Sequence, residues 1–248
     1  MGRGVVERAL ILAAGVGRRL RPITERLPKA LVEVAGQTLL ERQLATSFAL
    51  GVRRVVVVTG WLEGAIVARL GACSADGEVV TVRNPRYQTH GNAVSVLCAR
   101  AELEGRAFLL VDGDLLLDAA IPRALAESGW SSALSVDPCA ELDDEAMKVR
   151  IERGRILAIG KAIEAGDAES IGLAKIGAAD SAGLFAALEA LVERDGVADA
   201  YYEDAFARMI EAGWRLGAVD VGGARWAEID DPLDLARAQA LASSLDGA

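Results

Sequence analysis

The chain is poor in aromatic residues: four tryptophans, three tyrosines and four phenylalanines make up 4% of 248 residues. Its core must therefore be built largely from Ala, Leu, Val and Ile, within a composition that is 52% hydrophobic and 25% charged, the balance of a folded globular protein. Histidine occurs once, as His90, and no Ser-His-Asp arrangement is readable. The three cysteines, Cys73, Cys98 and Cys139, are far apart and form no C-x-x-C pair. Neither a zinc site nor a disulfide framework is signalled, and the cysteines are expected as small core hydrophobes in a reducing compartment. No apolar run reaches the roughly 18 residues of a membrane span. The first eight residues mix acidic and basic side chains without a signal-peptide cleavage pattern. The expectation is a cytoplasmic protein with no membrane partner. Positive charge is also short, with 27 basic against 36 acidic residues and a net charge of −9. That argues against a nucleic-acid partner, which needs a broad basic face, but leaves room for one local cationic pocket.

At roughly 150 residues per domain, the length corresponds to about 1.7 units. One domain over residues 1–248 is expected, regular to about residue 135 and less so from about 136 to 235. Ala9 to Ala14 is a short apolar run closed by Gly15, a buried strand ending in a glycine loop. Leu39 to Leu50 has helical spacing and stops at Gly51. Arg54 to Thr59 is a second strand, Leu62 to Leu70 a helix, Val79 to Val82 a strand, Ala93 to Glu104 a helix and Phe108 to Val111 a strand broken by Asp112-Gly113-Asp114. This alternation predicts an α/β fold: a Rossmann-like, mostly parallel twisted sheet with helices on both faces. Further along, Ser132 to Val136 reads as a strand, and Met147 to Ile151 with Ile156 to Ile159 as a hairpin around Arg153-Gly154. A strand over Ile171 to Ile176, helices over Ala182 to Glu193 and Tyr202 to Ala212, and short strands at Val219 and Trp226 follow. Asp231 and Pro232 have the residue types of an N-cap and first position of a last helix.

The densest chemical signal lies in Leu12 to Leu31. Two glycines stand where a strand gives way to a loop, and Arg18, Arg19, Arg21, Arg26 and Lys29 follow against Glu25. Glycines let backbone approach a phosphate, exposed N–H groups cradle an anion, and Lys and Arg offset its charge. A solvated surface loop would also tolerate such charges. The stretch is no Walker loop, for it lacks G-x-x-x-x-G-K-[ST]. It is no dinucleotide fingerprint either, since the third glycine would fall on Leu20.

Leu12-Ala13-Ala14-Gly15-Val16-Gly17-Arg18-Arg19-Leu20-Arg21-Pro22-Ile23-Thr24, followed by Pro28-Lys29-Ala30-Leu31, resembles the signature of the sugar-phosphate nucleotidyltransferase superfamily. Val34 to Glu41 is similar to its V-x-G-x-P-L-L-E, with Thr38 in place of proline. Asn84-Pro85-Arg86-Tyr87, Asn92 to Ser95, Tyr201-Tyr202-Glu203-Asp204 and Trp226-Ala227-Glu228-Ile229-Asp230 resemble the phosphocholine cytidylyltransferase-like branch. That branch usually has two adjacent asparagines where this chain has Gly91-Asn92. Asp112-Gly113-Asp114 looks like the family's D-x-D.

The resemblance implies a small hairpin-containing substrate lobe on a nucleotide-binding half of about 5–135, with an acceptor-binding half of about 136–235. It implies transfer of CMP from CTP to a small phosphorylated alcohol or phosphonate, phosphocholine-like or aminoethylphosphonate-like, with release of pyrophosphate. Mg²⁺ is implied on Asp114 and Asp230, with Asp112 in support, and Arg19 and Lys29 as the catalytic cations. Nucleotide contacts are carried over to Leu12, Ala13, Ala14, Gly15, Gly17, Arg18, Gly60, Asn92, Ser95 and Asp112. Acceptor contacts are expected from Lys148, Lys175, Tyr201, Tyr202, Glu203 and Asp204. The last four also fit a bland reading, in which Glu and Asp merely favour a helix N-terminus. A phosphate monoester is largely a dianion at neutral pH and needs no general base, in keeping with the single histidine. A sugar-1-phosphate nucleotidyltransferase using UTP, GTP or dTTP, and a nucleotide-sensing module without turnover, are the alternatives. A homodimer stays open.

Overall fold

Ala9, Leu10 and Ile11 have no exposed surface, because the strand that holds them lies between two others with helices above and below. The computed structural model describes residues 6–72 and 77–245, so Cys73 lies outside the described residues. In chain order the elements are β1 (Arg8–Ala13), β2 (Glu33–Val34), β3 (Gln37–Thr38), α1 (Leu39–Ala49), β4 (Arg54–Thr59), α2 (Glu63–Ala72), β5 (Glu78–Arg83), α3 (Asn92–Cys98) and α4 (Arg100–Leu103). There follow β6 (Phe108–Asp112), β7 (Leu115–Leu117), α5 (Ala120–Glu127), β8 (Ala133–Asp137), β9 (Lys148–Glu152), β10 (Arg155–Gly160), β11 (Ala168–Ile176) and α6 (Ala178–Glu189). The chain closes with α7 (Tyr202–Glu211), β12 (Gly217–Asp220), β13 (Trp226–Glu228) and α8 (Pro232–Leu245).

Nine strands form one sheet in the order β5-β4-β1-β6-β11-β8-β12-β10-β9. The first four are mutually parallel. β11 inserts antiparallel between β6 and β8, and β12 runs parallel to β8. The β5-β4-β1-β6 half is thus parallel, as the alternating pattern predicts, β10 runs antiparallel to both β12 and β9, and the sheet runs continuously through both halves of the chain. Residue alternation divides it into two faces. Leu10, Val56, Val58, Leu110 and Leu134 pack with α3, α6 and α7 on one side. Ala9, Ile11, Val55, Val57, Leu109 and Val111 pack with α1, α2 and α5 on the other. A third apolar cluster joins Leu20, Val32, Val34, Leu39, Leu116, Ile229, Ala238 and Ala242, and so docks α8 against the glycine loop and β7.

The strand expected at Trp226 forms, outside the main sheet: among the described residues β13 pairs with β7 alone, in a separate two-stranded sheet. One expectation changes. Cys139 is exposed rather than a core residue, while Cys98 is half-buried. Asp231 does cap α8, its Oδ1 accepting from the N–H of Leu233 at 2.7 Å and of Asp234 at 2.9 Å. No helix among the described residues is long and apolar enough to cross a membrane.

Candidate active site

A cleft of about 870 Å³ opens along the C-terminal ends of β1 and β6 and continues toward β11. In open α/β sheets this end collects ligands. Its first wall is the glycine loop. Gly17 has φ +62, and a Cβ there would lie 2.9 Å from Thr24 Cγ2. Thr24 Oγ1 donates to the Gly17 carbonyl at 2.6 Å, and the Trp61 indole N–H donates to the Thr24 carbonyl at 2.8 Å. The loop is therefore held by Thr24 from within and by Trp61 from the segment after β4. Gly60 sits where a Cβ would come within 2.7 Å of the Ala14 carbonyl, so it seats this loop from beneath.

The second wall carries the carboxylates. β6 ends at Asp112, and the Gly113 N–H bonds the Leu12 carbonyl at 3.0 Å. A Cβ on Gly113 would stand 2.2 Å from that carbonyl, so only glycine fits the turn. Asp114 then leads into β7, where Leu115 pairs with Glu228 of β13. The Ile229 N–H donates to the Asp114 carbonyl at 3.1 Å. This small antiparallel pair brings ligand oxygens of Asp114, Glu228 and Asp230 within 4.8 Å of one another.

Lys29 stands among them. Its Nζ donates to Asp114 Oδ2 at 2.7 Å and to Asp230 Oδ1 at 2.5 Å. Arg19 bonds Asp230 Oδ2 from the solvent side. Burial disfavours the Lys29 ammonium, but the two carboxylates outweigh it and raise its pKa. Glu228, though exposed at its rim, is pushed up to about 8, first by the crowding of protein around its carboxylate and then by the charges of Asp114 and Asp230. Asp230 is held low: burial opposes its charge, and Lys29 and Arg19 together overcome that. Asp114 Oδ1 is buried and accepts no hydrogen bond. Three hard carboxylate oxygens, one with unused acceptor capacity, fit a small divalent cation.

Of the residues singled out from the sequence, Leu12, Ala14, Gly15, Arg19, Asn92, Ser95, Asp112, Asp114, Tyr201, Glu203 and Asp230 line the cleft. Ser95 Oγ accepts from Asn84 Nδ2 at 3.0 Å. Asn92 Oδ1 accepts the Tyr202 N–H at 2.9 Å, so this carbonyl ties α3 to the start of α7. Gly91, where the resembling branch has asparagine, has no room for one: a Cβ would lie 2.3 Å from the Ala200 carbonyl. Ala13, Gly17, Arg18, Gly60 and Lys29, also expected at the site, do not line the cleft; Lys29 meets it through its bonds to Asp114 and Asp230.

Four expected acceptor contacts lie elsewhere. Lys175 is about three residues, or roughly 10 Å, down β11 from the cleft end, and its Nζ donates to Ser128 Oγ at 2.8 Å and the Ser128 carbonyl at 3.0 Å. Lys148 is buried and donates to the Lys161 carbonyl at 3.1 Å. Tyr202 is wholly buried, edge-on to Phe206, with its hydroxyl 3.1 Å from Asp112 Oδ2. Asp204 accepts the Tyr201 N–H at 2.8 Å, which is the helix-start role.

The structure adds Lys161, Glu169 and Ser170 to the cleft. Lys161 Nζ lies 4.9 Å over the Tyr201 ring and 3.0 Å from Glu145 Oε2. Glu169 is pushed up to about 7 by burial and by Asp143 and Asp137. Its neighbours in β11 bulge between Ser170 and Ala174, and Gly172 at φ +74 leaves space for Asp112, whose Oδ2 a Cβ would meet at 2.5 Å. Glu203, pushed up to about 7 chiefly by burial, has an unpartnered Oε2, and Ser170 Oγ is likewise unpartnered. Only the glycine within a strand, Gly172, hinted at this bulge in the sequence.

Residues 9–140 match the model of the MobA-like NTP transferase domain. The chain is 36% identical over 233 residues to the bifunctional IPC transferase and DIPP synthase of Rubrobacter xylanophilus, a match covering 92% of this chain and 50% of that protein. It is 30% identical over 242 residues to the CMP-5'-(3-aminopropyl)phosphonate synthase of Streptomyces rubellomurinus, covering 92% of this chain and 37% of that one. The chain thus spans about half the length, or less, of these curated relatives. The structure of the inositol-1-phosphate CTP transferase from T. maritima superposes with a TM-score of 0.82 at 26% identity, covering 99% of this chain and 98% of that one. With the family model matched over more than half its length, from the glycine loop through both aspartates of the β6 turn, the chain belongs to the MobA-like NTP transferase family.

Proposed function

We propose that the chain is a Mg²⁺-dependent cytidylyltransferase that moves CMP from CTP to a small phosphorylated alcohol or phosphonate. One observation carries this reading: Lys29 and Arg19 converge on Asp114 and Asp230 beside the glycine loop, in one cleft. In the reaction, an oxygen of the acceptor phosphate or phosphonate forms a bond to the α-phosphorus. The bond from that phosphorus to the α–β bridging oxygen breaks, and pyrophosphate leaves with the electron pair. The acceptor oxygen is already anionic, so no proton need be removed first.

Backbone N–H groups around Gly15 and Gly17 would hold the triphosphate, and Lys29 and Arg19 would offset the charge developing on it. Mg²⁺, held by Asp114, Asp230 and Glu228, would supply electrostatic stabilisation of phosphate oxygens and fix their geometry. Asn84, Asn92 and Ser95 would face the base. Lys161 would take the acceptor phosphate, in place of Lys148 and Lys175. The tail would lie along Tyr201, Glu203, Glu169 and Ser170. Carboxylates suit a cationic tail, and this favours phosphocholine-like and aminoethylphosphonate-like acceptors.

The test is pyrophosphate release with Mg²⁺, crossing CTP, UTP, GTP and dTTP with a panel of acceptors. The panel holds phosphocholine, phosphoethanolamine, 2-aminoethylphosphonate, inositol-1-phosphate, glucose-1-phosphate and N-acetylmuramate-1-phosphate. Release with CTP and one of the first four supports the reading. Release only with UTP, GTP or dTTP and a sugar-1-phosphate overturns it.

A further inference from the structure

Gln43 is a buried amide with an unusual balance of partners. It lies on the inner face of α1 at 6% exposure, between Leu40 and Leu44. Its Nε2 donates to the Asp112 carbonyl at 2.9 Å and to the Leu115 carbonyl at 3.0 Å. Those carbonyls stand at the two ends of the Asp112-Gly113-Asp114-Leu115 turn. Its Oε1 is buried without a hydrogen bond. Leucine or methionine would fill the same helix face without a polar group. What glutamine adds there is the –NH₂ group, and that group spans the turn.

We propose that Gln43 is a positioning residue for the metal site: its amide clamps both ends of the turn and so sets where the Asp114 carboxylate stands relative to Glu228 and Asp230. The clamp complements two backbone bonds, from Gly113 to the Leu12 carbonyl and from Ile229 to the Asp114 carbonyl. These tie the turn to β1 and to β13, whereas Gln43 ties its two ends to each other through α1. Without the amide, the Asp112 and Leu115 carbonyls lose their shared donor, and the turn is no longer held from α1. Residues that orient metal ligands from behind typically change metal affinity by about 10- to 100-fold when removed. The inference rests on the metal reading given above.

The test is Gln43→Met, which keeps side-chain length and removes the donor. Mn²⁺ binding in the presence of CTP is followed by electron paramagnetic resonance, beside the Mg²⁺ dependence of pyrophosphate release and the thermal midpoint. The expected result is Mn²⁺ affinity weakened by about 10- to 100-fold and a matching rise in the Mg²⁺ needed for half-maximal rate. The maximal rate falls less, and the midpoint falls somewhat, because the Asp112 and Leu115 carbonyls lose a donor. Glu41→Gln, on the same helix, lowers the midpoint without moving the Mn²⁺ affinity. Should Gln43→Met not fold, Gln43→Leu, which also lacks the donor and adds no charge, carries the same expectation. Wild-type Mn²⁺ affinity in a folded Gln43 variant overturns the proposal alone, as does an equal loss in Glu41→Gln. A wild-type chain that binds no Mn²⁺ with CTP overturns the metal reading and the proposal together.

Discussion

Lys29 Nζ lies 2.5 Å from Asp230 Oδ1, across 201 positions of the chain, and 2.7 Å from Asp114 Oδ2. One ammonium thus holds together carboxylates delivered by two different loops, and it is seven-eighths buried while doing so, with 13% of its side chain exposed. Removing one partner of such a group is costly, because the other charges stay buried and unpaired.

Lys29→Met is expected to lower the rate of pyrophosphate release on the order of 10²–10³-fold, the scale for losing one electrostatic stabiliser. It also leaves Asp114, Glu228 and Asp230 facing one another, so the thermal midpoint falls at low Mg²⁺ and recovers as Mg²⁺ is added. Thermal melts across a Mg²⁺ series read this directly, and a midpoint independent of Mg²⁺ would argue against the cluster.

Lys161→Met separates the acceptor from the nucleotide. The expected outcome is a KM for the acceptor raised by about tenfold or more, the equivalent of one charge-assisted hydrogen bond, with the KM for CTP little changed. Steady-state kinetics with each substrate varied in turn decide it. Lys175→Met, whose parent lysine bonds Ser128 away from the cleft, should leave both values unchanged.

Gly91→Ala asks for space rather than conformation. The φ of Gly91 is −69, which any residue adopts, yet a Cβ would stand 2.3 Å from the Ala200 carbonyl. A loss of about 1–3 kcal/mol is expected from overpacking, together with weaker binding of both substrates, since this contact joins α3 to the segment leading into α7. Urea unfolding and nucleotide titration check the two parts.

Glu41 gives a pH dependence with a definite sign. Its carboxylate accepts from Arg69 at 2.7 Å and 2.9 Å, and from the Thr38 N–H at 3.0 Å and hydroxyl at 2.8 Å. The Arg69 hydrogen bond is the largest cause that lowers its pKa to about 2 from 4.5. A group held low when folded stabilises fully above its unfolded pKa and loses that contribution as pH falls through the folded value. Glu41→Gln should therefore cost about 1 kcal/mol at pH 7, in the range of a lost cap, and the gap to wild type should close between pH 4.5 and about 2. Urea midpoints of both proteins at pH 7 and pH 3 measure it.

The parts of the site that were legible in the sequence are those written in consecutive residues. Gly15 and Gly17 mark a loop because of what glycine permits, and Asp112-Gly113-Asp114 breaks an apolar strand because a carboxylate cannot continue one in a buried sheet. The run Arg54–Thr59 reads as a buried strand because both of its faces must be apolar. Lys161, Glu169 and Ser170 carried no such signal. A lysine after a hairpin strand and a Glu-Ser pair in a strand are ordinary until their neighbours are known.

The sequence by itself determined the alternating α/β order and the glycine loop, since each follows from local propensity, glycine geometry and the spacing of apolar residues, while the candidate carboxylates Asp114 and Asp230 came from the resemblance of the motifs that hold them. Only the tertiary structure decided which lysine reaches the cleft. Lys148 and Lys175 are strand residues whose amines are taken up by the Lys161 and Ser128 carbonyls, while Lys161, just beyond β10, lies over Tyr201. It also decided that Asp230 meets Asp114 through β13 pairing with β7 rather than through the main sheet. Pairing between segments more than a hundred residues apart is set by how whole faces pack, and that information is spread over the entire core.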